Sequence, residues 1–414
     1  MCRELGVRDN IDVANLGEYG VGGWPFRCGL SFCRARNPVP AGRSVVLCIV
    51  LLALSSFSFS QTPEPPNFEQ IAQRAEKARK SNRSEEAVSL YKEGVALRPT
   101  WDEGWWYLGT GLYELKRYAE AQTAFQRLSV LTPQNGSSWA LLGLCEFRLA
   151  DYPPALQHLL KAEELGTPEY QEMVPVVHYH AALLLNREGE FDRAREQLQP
   201  FESEGNNSPQ ILDVAGINAL RLQVLPSEIP VEKRALITKV GQAAWRPYNA
   251  GHPEQAEKLF QELVAAYPKE PNLHYSYGAY LLGSDPEKAL GEFEQELKVN
   301  PENVLARLQI VYLYLKQGAA EKGLALATEA VKMDPESVMA HNALGRVLLE
   351  SGQADAAIEQ LQTAVRLAPE VAESHFSLAE AYRSAGKSDA AAKEMAEFER
   401  LKKRTSVETR PVAP

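Results

Sequence analysis

Few residues in this 414-residue chain have the types and spacing that chemistry requires. His178-Tyr179-His180 comes nearest to a metal-ligand motif. Two histidines at i and i+2 lie on different sides of a helix and cannot share one ion well. Cys28 and Cys33 have no His or Cys neighbours to complete a metal site, and Cys145 is the one cysteine after residue 60. No HExxH, GxSxG or Walker loop occurs, and no GxGxxG follows a strand pattern. Acidic pairs such as Glu163-Glu164 stand among many other charges and read as solvated faces. The Asn-x-Ser triplets at Asn82, Asn135 and Asn206 sit near turns, and such triplets are common by chance. The expectation is therefore no catalytic residue, no cofactor and no bound metal.

The pattern around these residues is repetitive. In Val338–Pro369, small and apolar residues recur at helical spacing, first as Ala340, Ala343, Leu344, Val347 and Leu348, then as Ala357, Leu361, Ala364 and Val365. Gly352 sits between the two runs, where a left-handed residue ends a helix, and Pro369 forbids continuation. Neither helix is long enough to be stable alone, so each pair needs neighbours. The same frame recurs every 34 residues. Numbered from its first residue, the unit at Asp102 has Trp105 at position 4, Leu108 at 7, Gly109 at 8, Leu112 at 11, Ala121 at 20, Phe125 at 24 and Pro133 at 32. A small residue at 8 facing a small residue at 20 lets two helices cross closely, while large residues at 4, 7, 11 and 24 fill the grooves. His178, His274, His341 and His375 all stand at position 4, where Trp105 and Trp139 stand in other units, so they are expected to pack.

These residues resemble the tetratricopeptide repeat, W-x2-L-G-x2-Y followed by A-x3-F and P. The resemblance covers about residues 68–403. It implies an all-α fold, a right-handed solenoid of stacked helix-turn-helix units, and no enzyme activity. Too little chain lies outside the repeats to build a catalytic core. About four repeats span 68–208, a degenerate unit or joint spans 209–236, and about five more span 237–403, ending in a polar cap helix. In the degenerate unit a helix over 209–222 is expected to lose its regular partner to LPSEIP, because Pro226 and Pro230 block a helix, and a new helix is expected from about Val231 to Arg246. Residues 404–414 read as a disordered tail.

Ahead of the repeats, 61–67 is an extended spacer and 1–60 is an extension with a secretory pattern. Arg43 precedes the apolar run 45–54 (VVLCIVLLAL), and Ser58-Phe59-Ser60 offers a cleavage site before Gln61. The expected place is periplasmic or secreted. The alternative is a membrane anchor formed by 45–59. The 40-odd residues ahead of the apolar run exceed an ordinary signal n-region, which points to a true start downstream of Met1. The whole chain carries a net charge of −10, and residues 61–414 hold 38 basic and 50 acidic side chains. No basic run occurs in the body, which argues against nucleic acid.

In the family, positions 2, 5, 9, 12 and 13 of the first helix line the concave side. The resemblance thus assigns partner contact to Trp106, Tyr113, Phe147, Arg148, Tyr179, Arg187, Trp245, Tyr248, Asn249, Tyr275, Tyr312, Lys316, Asn342, Arg346, Phe376 and Arg383, with Glu380 beside them. Aromatics with interspersed basic groups suit an extended peptide or a helix laid along a groove. The bland reading is that several of these aromatics pack against the next unit. The family's Lys and Asn clamp for a peptide C-terminus is not found. The function expected is a protein-binding scaffold. The alternatives are a structural subunit or assembly factor of an envelope, secretion or pilus complex, and a subunit presenting substrate to an enzyme.

Overall fold

The computed structural model describes residues 67–246, 249 and 252–408, with side chains to 404. The expected signal segment, most of the spacer, Tyr248 and the last six residues lie outside the described residues. Among the described residues every regular element is helical. The chain divides into two compact units, the first up to Ala181 and the second from Ala182.

In the first unit the helices are α1 (Phe68–Lys80), α2 (Ser84–Leu97), α3 (Asp102–Glu114), α4 (Tyr118–Leu131), α5 (Gly136–Arg148) and α6 (Tyr152–Leu165). The division falls inside α7 (Met173–Arg187). The second unit continues with α8 (Phe191–Ser203), α9 (Pro209–Ala219), α10 (Val231–Ala244), α11 (Pro253–Ala266), α12 (Leu273–Leu281) and α13 (Pro286–Val299). Three more pairs follow: α14 (Val304–Lys316) with α15 (Ala320–Met333), α16 (Val338–Glu350) with α17 (Ala354–Leu367), and α18 (Ala372–Ser384) with α19 (Ser388–Glu408). α19 runs past the expected end of the cap at 403, since no breaker precedes Pro411.

The helix crossings follow the repeat frame. A Cβ built on Gly109 would meet the Phe125 ring at 2.7 Å, and one on Gly345 would meet Leu361 at 2.5 Å. Gly143 stands likewise against Leu159, and Gly278 against Phe293. So position 8 is small chiefly because the large side chain from position 24 lies over it. It also faces position 20, as expected. Where Val311 occupies position 8, Gly323 stands at 20, and a Cβ there would sit 3.5 Å from the valine side chain. Volume is conserved across the crossing while its two sides are exchanged. Gly352 takes the left-handed turn at φ +75° that its place in the sequence required.

Position 4 has a second duty. The ring nitrogens of Trp105 and Trp139 donate to the carbonyls of Pro99 and Pro133 at 2.9 and 3.0 Å. His341 and His375 place Nε2 against Pro335 and Pro369 in the same way, at 2.9 and 3.0 Å. In these four units a ring nitrogen at position 4 therefore ties the new helix to the proline ending the preceding unit. His274, His341 and His375 are buried, as packing residues should be.

The degenerate stretch keeps its partner helix. α9 pairs with α10 across the LPSEIP segment, which turns once as a 3-10 turn, Pro226–Glu228. The crossing is tight: a Cβ on Gly216 would lie 2.0 Å from the Ile237 carbonyl oxygen, and one on Gly241 would lie 1.9 Å from that of Leu212. The helix expected from about Val231 is present as α10, and it is this helix, displaced along the chain by the prolines, that serves as the partner of α9. Ile229 from the connecting segment joins the buried cluster of Ile217, Leu236 and Val240.

His180 is the one histidine of its pair driven into the core. Its Nδ1–H donates to the Val176 carbonyl at 2.8 Å, within its own helix. Burial pushes its pKa down to about 4, the bond to Val176 opposes this, and the Arg148 charge adds to it. Among the described residues no group of three or more His, Cys, Asp or Glu side chains is placed to hold a metal ion.

Two outcomes follow from this packing. Gly216→Ala drives a methyl group into backbone and is expected to cost about 1–3 kcal/mol or more in denaturant unfolding. Gly291→Ala, inside α13 with nothing within 4 Å of the new Cβ, is expected to gain about 0.5–1 kcal/mol. His180 stays neutral in the fold while the unfolded chain takes up a proton below the ordinary value of 6.5. Stability should therefore fall as pH drops from 6.5 towards 4, by on the order of 3 kcal/mol. His180→Phe should flatten the profile of unfolding midpoint against pH in that window.

Candidate partner-binding surfaces

In the first unit the expected contact residues are largely consumed by packing. Trp106 is buried, stacked on Tyr170 with ring centres 4.9 Å apart and set edge-on to Phe125. Tyr170 comes from the long connection between α6 and α7, which carries it across Trp106. Tyr113 is buried edge-on to Tyr118 and shares a hydrogen bond with Arg148, and burial pushes its phenol up. Tyr179 is buried against His180, and the half-buried Phe147 lies edge-on to both His180 and Tyr152. Trp106, Tyr113 and Tyr179 are thus corrected from partner contacts to packing residues. The aromatic row turns its rings on itself because aromatic edges and faces attract.

The second unit divides the remaining residues. Trp245 is only 1% exposed, and its Nε1–H donates to the Asn206 carbonyl at 2.9 Å. It too is a core residue, pinned by a loop carbonyl 39 residues away in sequence. Asn249 closes the end of α10 by donating to the carbonyls of Gln242, Ala243 and Trp245. Tyr248 lies outside the described residues. Arg187 is ion-paired with Glu228 at 2.6 Å.

The first helices α14, α16 and α18 stand side by side and keep expected residues at the surface. Tyr312 is half-buried and donates to the Met339 carbonyl at 3.3 Å, with the Arg346 guanidinium 5.8 Å from its ring centre. Asn342 donates to the Ser374 hydroxyl at 2.8 Å. Met339 and Phe376 are 47% and 42% exposed, although Phe376 also rests on Phe398. Lys316, Arg346 and Arg383 are exposed, with Arg383 paired to Glu380 at 2.7 Å. Apolar side chains and long basic ones thus share one row of helices.

A second surface lies at the degenerate unit. A cleft of about 500 Å³ opens between α8, α9, α10 and α12. Tyr275 and Asn249 line it, as does a set that the repeat frame did not single out: Asp192, Arg195, Asn218, Arg221, Arg246 and Tyr280. Asn218 ties α9 to the start of α8, donating to the Phe191 carbonyl at 2.7 Å and the Asn186 side chain at 2.8 Å. Burial raises the Tyr275 phenol, and the Arg221 charge opposes that rise. The break in register over 209–236 was the only sequence signal for this cleft.

Among the described residues no helix is long and apolar enough to cross a membrane. A comparison with curated proteins finds no match. Among solved structures, MamA from Desulfovibrio magneticus RS-1 (residues 41 to the end) is 24% identical. It covers 40% of this chain and 96% of its own, with a TM-score of 0.36. A MamA RS-1 double mutant is 23% identical over 40% of this chain and 96% of its own, with a TM-score of 0.37. A further MamA crystal structure is 16% identical over 43% and 97%, also with a TM-score of 0.37. Profiles described as tetratricopeptide repeat match residues 107–169, 279–338 and 342–402, and a second of the same description matches 175–200. Together these segments span about half of the chain and fall on the helix pairs described above. The chain belongs to the tetratricopeptide repeat family.

Proposed function

We propose that this protein is an exported, non-catalytic scaffold that holds a segment of another protein against α14, α16 and α18. Tetratricopeptide repeats serve as protein-binding scaffolds, and that is the coarse function here. The observation that carries the finer reading is that Met339, Phe376, Arg346 and Lys316 are all exposed on consecutive first helices. Exposed apolar groups and long cations thus share one row of first helices, with the Arg346 guanidinium near the Tyr312 ring. A peptide laid across them would bury the methionine and the ring, and pair its acidic groups at the rim. Export rests on Arg43, the apolar run 45–54 and the small residues before Gln61.

The test places a photo-crosslinking side chain at 376, 346 or, as a control on the second helix α17, at exposed Arg366, in the protein expressed in its native cells. The expected result is a polypeptide adduct at 376 and 346 on the order of tenfold stronger than at 366, on a mature chain whose mass begins near Gln61. Equal adducts at all three positions would contradict the binding face. A chain retaining residues 1–40 would contradict both a start downstream of Met1 and cleavage before Gln61.

A further inference from the structure

The cleft at the degenerate unit has an electrostatic character opposite to that of the chain. The whole protein carries −10, yet Arg195, Arg221 and Arg246 converge here against one carboxylate, Asp192. Asp192 stands 87% exposed at the rim, and its nearest approach to Arg221 is 4.0 Å. That is a weak pair which water screens and an incoming carboxylate can displace.

Arg221 is set in place without being used up. It occupies the left-handed turn after α9 at φ +52°, the place held by Gly318, Gly352 and Gly386 in three other units and by Asn82, Lys116 and Ala150 in three more. Its side chain is 22% exposed and its guanidinium lies 4.5 Å from the Phe191 ring centre. Its ion pair with Asp192 is long, and its charge also acts on the Tyr275 phenol across the cleft. Stacking on a ring fixes the plane of a guanidinium and leaves its N–H edges free to donate. The Asn218 bonds hold the end of α9 on the start of α8 and the end of α7, so the Arg221 stack sits on a fixed base. Across the cleft, Arg246 is exposed and makes no ion pair among the described residues. Arg195 spends one nitrogen on Glu202 at 3.0 Å. Tyr275 and Tyr280 form the opposite wall, with the Tyr280 hydroxyl donating to the Pro253 carbonyl at 2.7 Å.

We propose that this cleft binds the side-chain carboxylates of an acidic segment of a partner protein, with Arg221 and Arg246 as the charge-pairing residues. Planar guanidinium forks match carboxylates in bidentate pairs. The cleft is large enough for several side chains. Its tyrosine wall offers flat, amphipathic contact to a polypeptide. The proposal rests on the scaffold reading for the polypeptide nature of the ligand alone.

The probe is a fluorescein-labelled peptide containing six consecutive glutamates, followed by anisotropy against the full chain, with the six-glutamine peptide as its match. The glutamate peptide is expected to bind at least about tenfold tighter, and less tightly as salt rises. Arg221→Gln and Arg246→Gln should each weaken it about five- to tenfold. Arg366→Gln, the same charge change on α17, should leave it unchanged. Circular dichroism checks each fold, and if Arg221→Gln unfolds, exposed Arg246→Gln decides alone. Equal binding of both peptides, or equal loss from Arg366→Gln, overturns the proposal. Displacement by inorganic phosphate at a concentration equal to that of competing unlabelled glutamate peptide also overturns it, by making this a site for small anions. Glutamate binding without adducts at 376 would keep this cleft and fail the α14–α18 face, and the reverse result would do the opposite.

Discussion

The structure depends on how closely two helices can cross. In the regular units with a glycine at position 8, the large side chain of position 24 lies over it, as Phe125 lies over Gly109 and Leu361 over Gly345. One added methyl group would push the pair apart and open the groove that the next unit fills. Where Val311 takes position 8, the small residue is Gly323 at position 20, and a Cβ there would make ordinary contact with the valine. At α9 and α10 the rule is carried furthest, since two glycines bring backbone against backbone. That crossing lets the chain absorb the proline-containing insertion without losing a helix pair.

The same constraint decides which side chains are left for function. Filling the grooves takes most of the aromatics, so Trp106, Tyr113, Tyr179 and Trp245 stabilise the stack. What remains free is of two kinds. On α14, α16 and α18 it is a mixed row of exposed Met339 and Phe376 with long cations. At the degenerate unit it is a cluster of arginines in a cleft, where the register breaks and no regular neighbour closes the gap. A solenoid can diverge in function this way, because its packing positions are fixed by volume and its irregular joints are not.

Much of the fold was legible in the sequence because its controls are local. Period, the left-handed turn at Gly352 and the stop at Pro369 each follow from a few neighbouring residues, and the helices lie where these require. The role of the position-4 histidines was legible for the same reason, since they stand where tryptophans stand in other units. The site was legible only in part. Tyr170 covers Trp106, and the Asn206 carbonyl holds the Trp245 indole; both partners come from connections with no period to read. The pairing of α9 with α10 was hidden by prolines that forbid a helix locally but leave the crossing glycines in place. Arg221 was passed over because its importance comes from stacking on Phe191, a contact that no spacing rule encodes.

The most direct measurement of the underlying claim is a double-mutant cycle at one crossing, with Gly345→Ala and Leu361→Ala alone and together, read by denaturant unfolding. If position 8 is small because position 24 covers it, the added methyl should be costly beside leucine and nearly harmless once leucine is cut back. The two changes would then couple by about 1 kcal/mol or more. Additive effects would mean that Gly345 and Leu361 do not meet in the folded chain, and would contradict the packing rule on which the stack, its free surfaces and its cleft are all built.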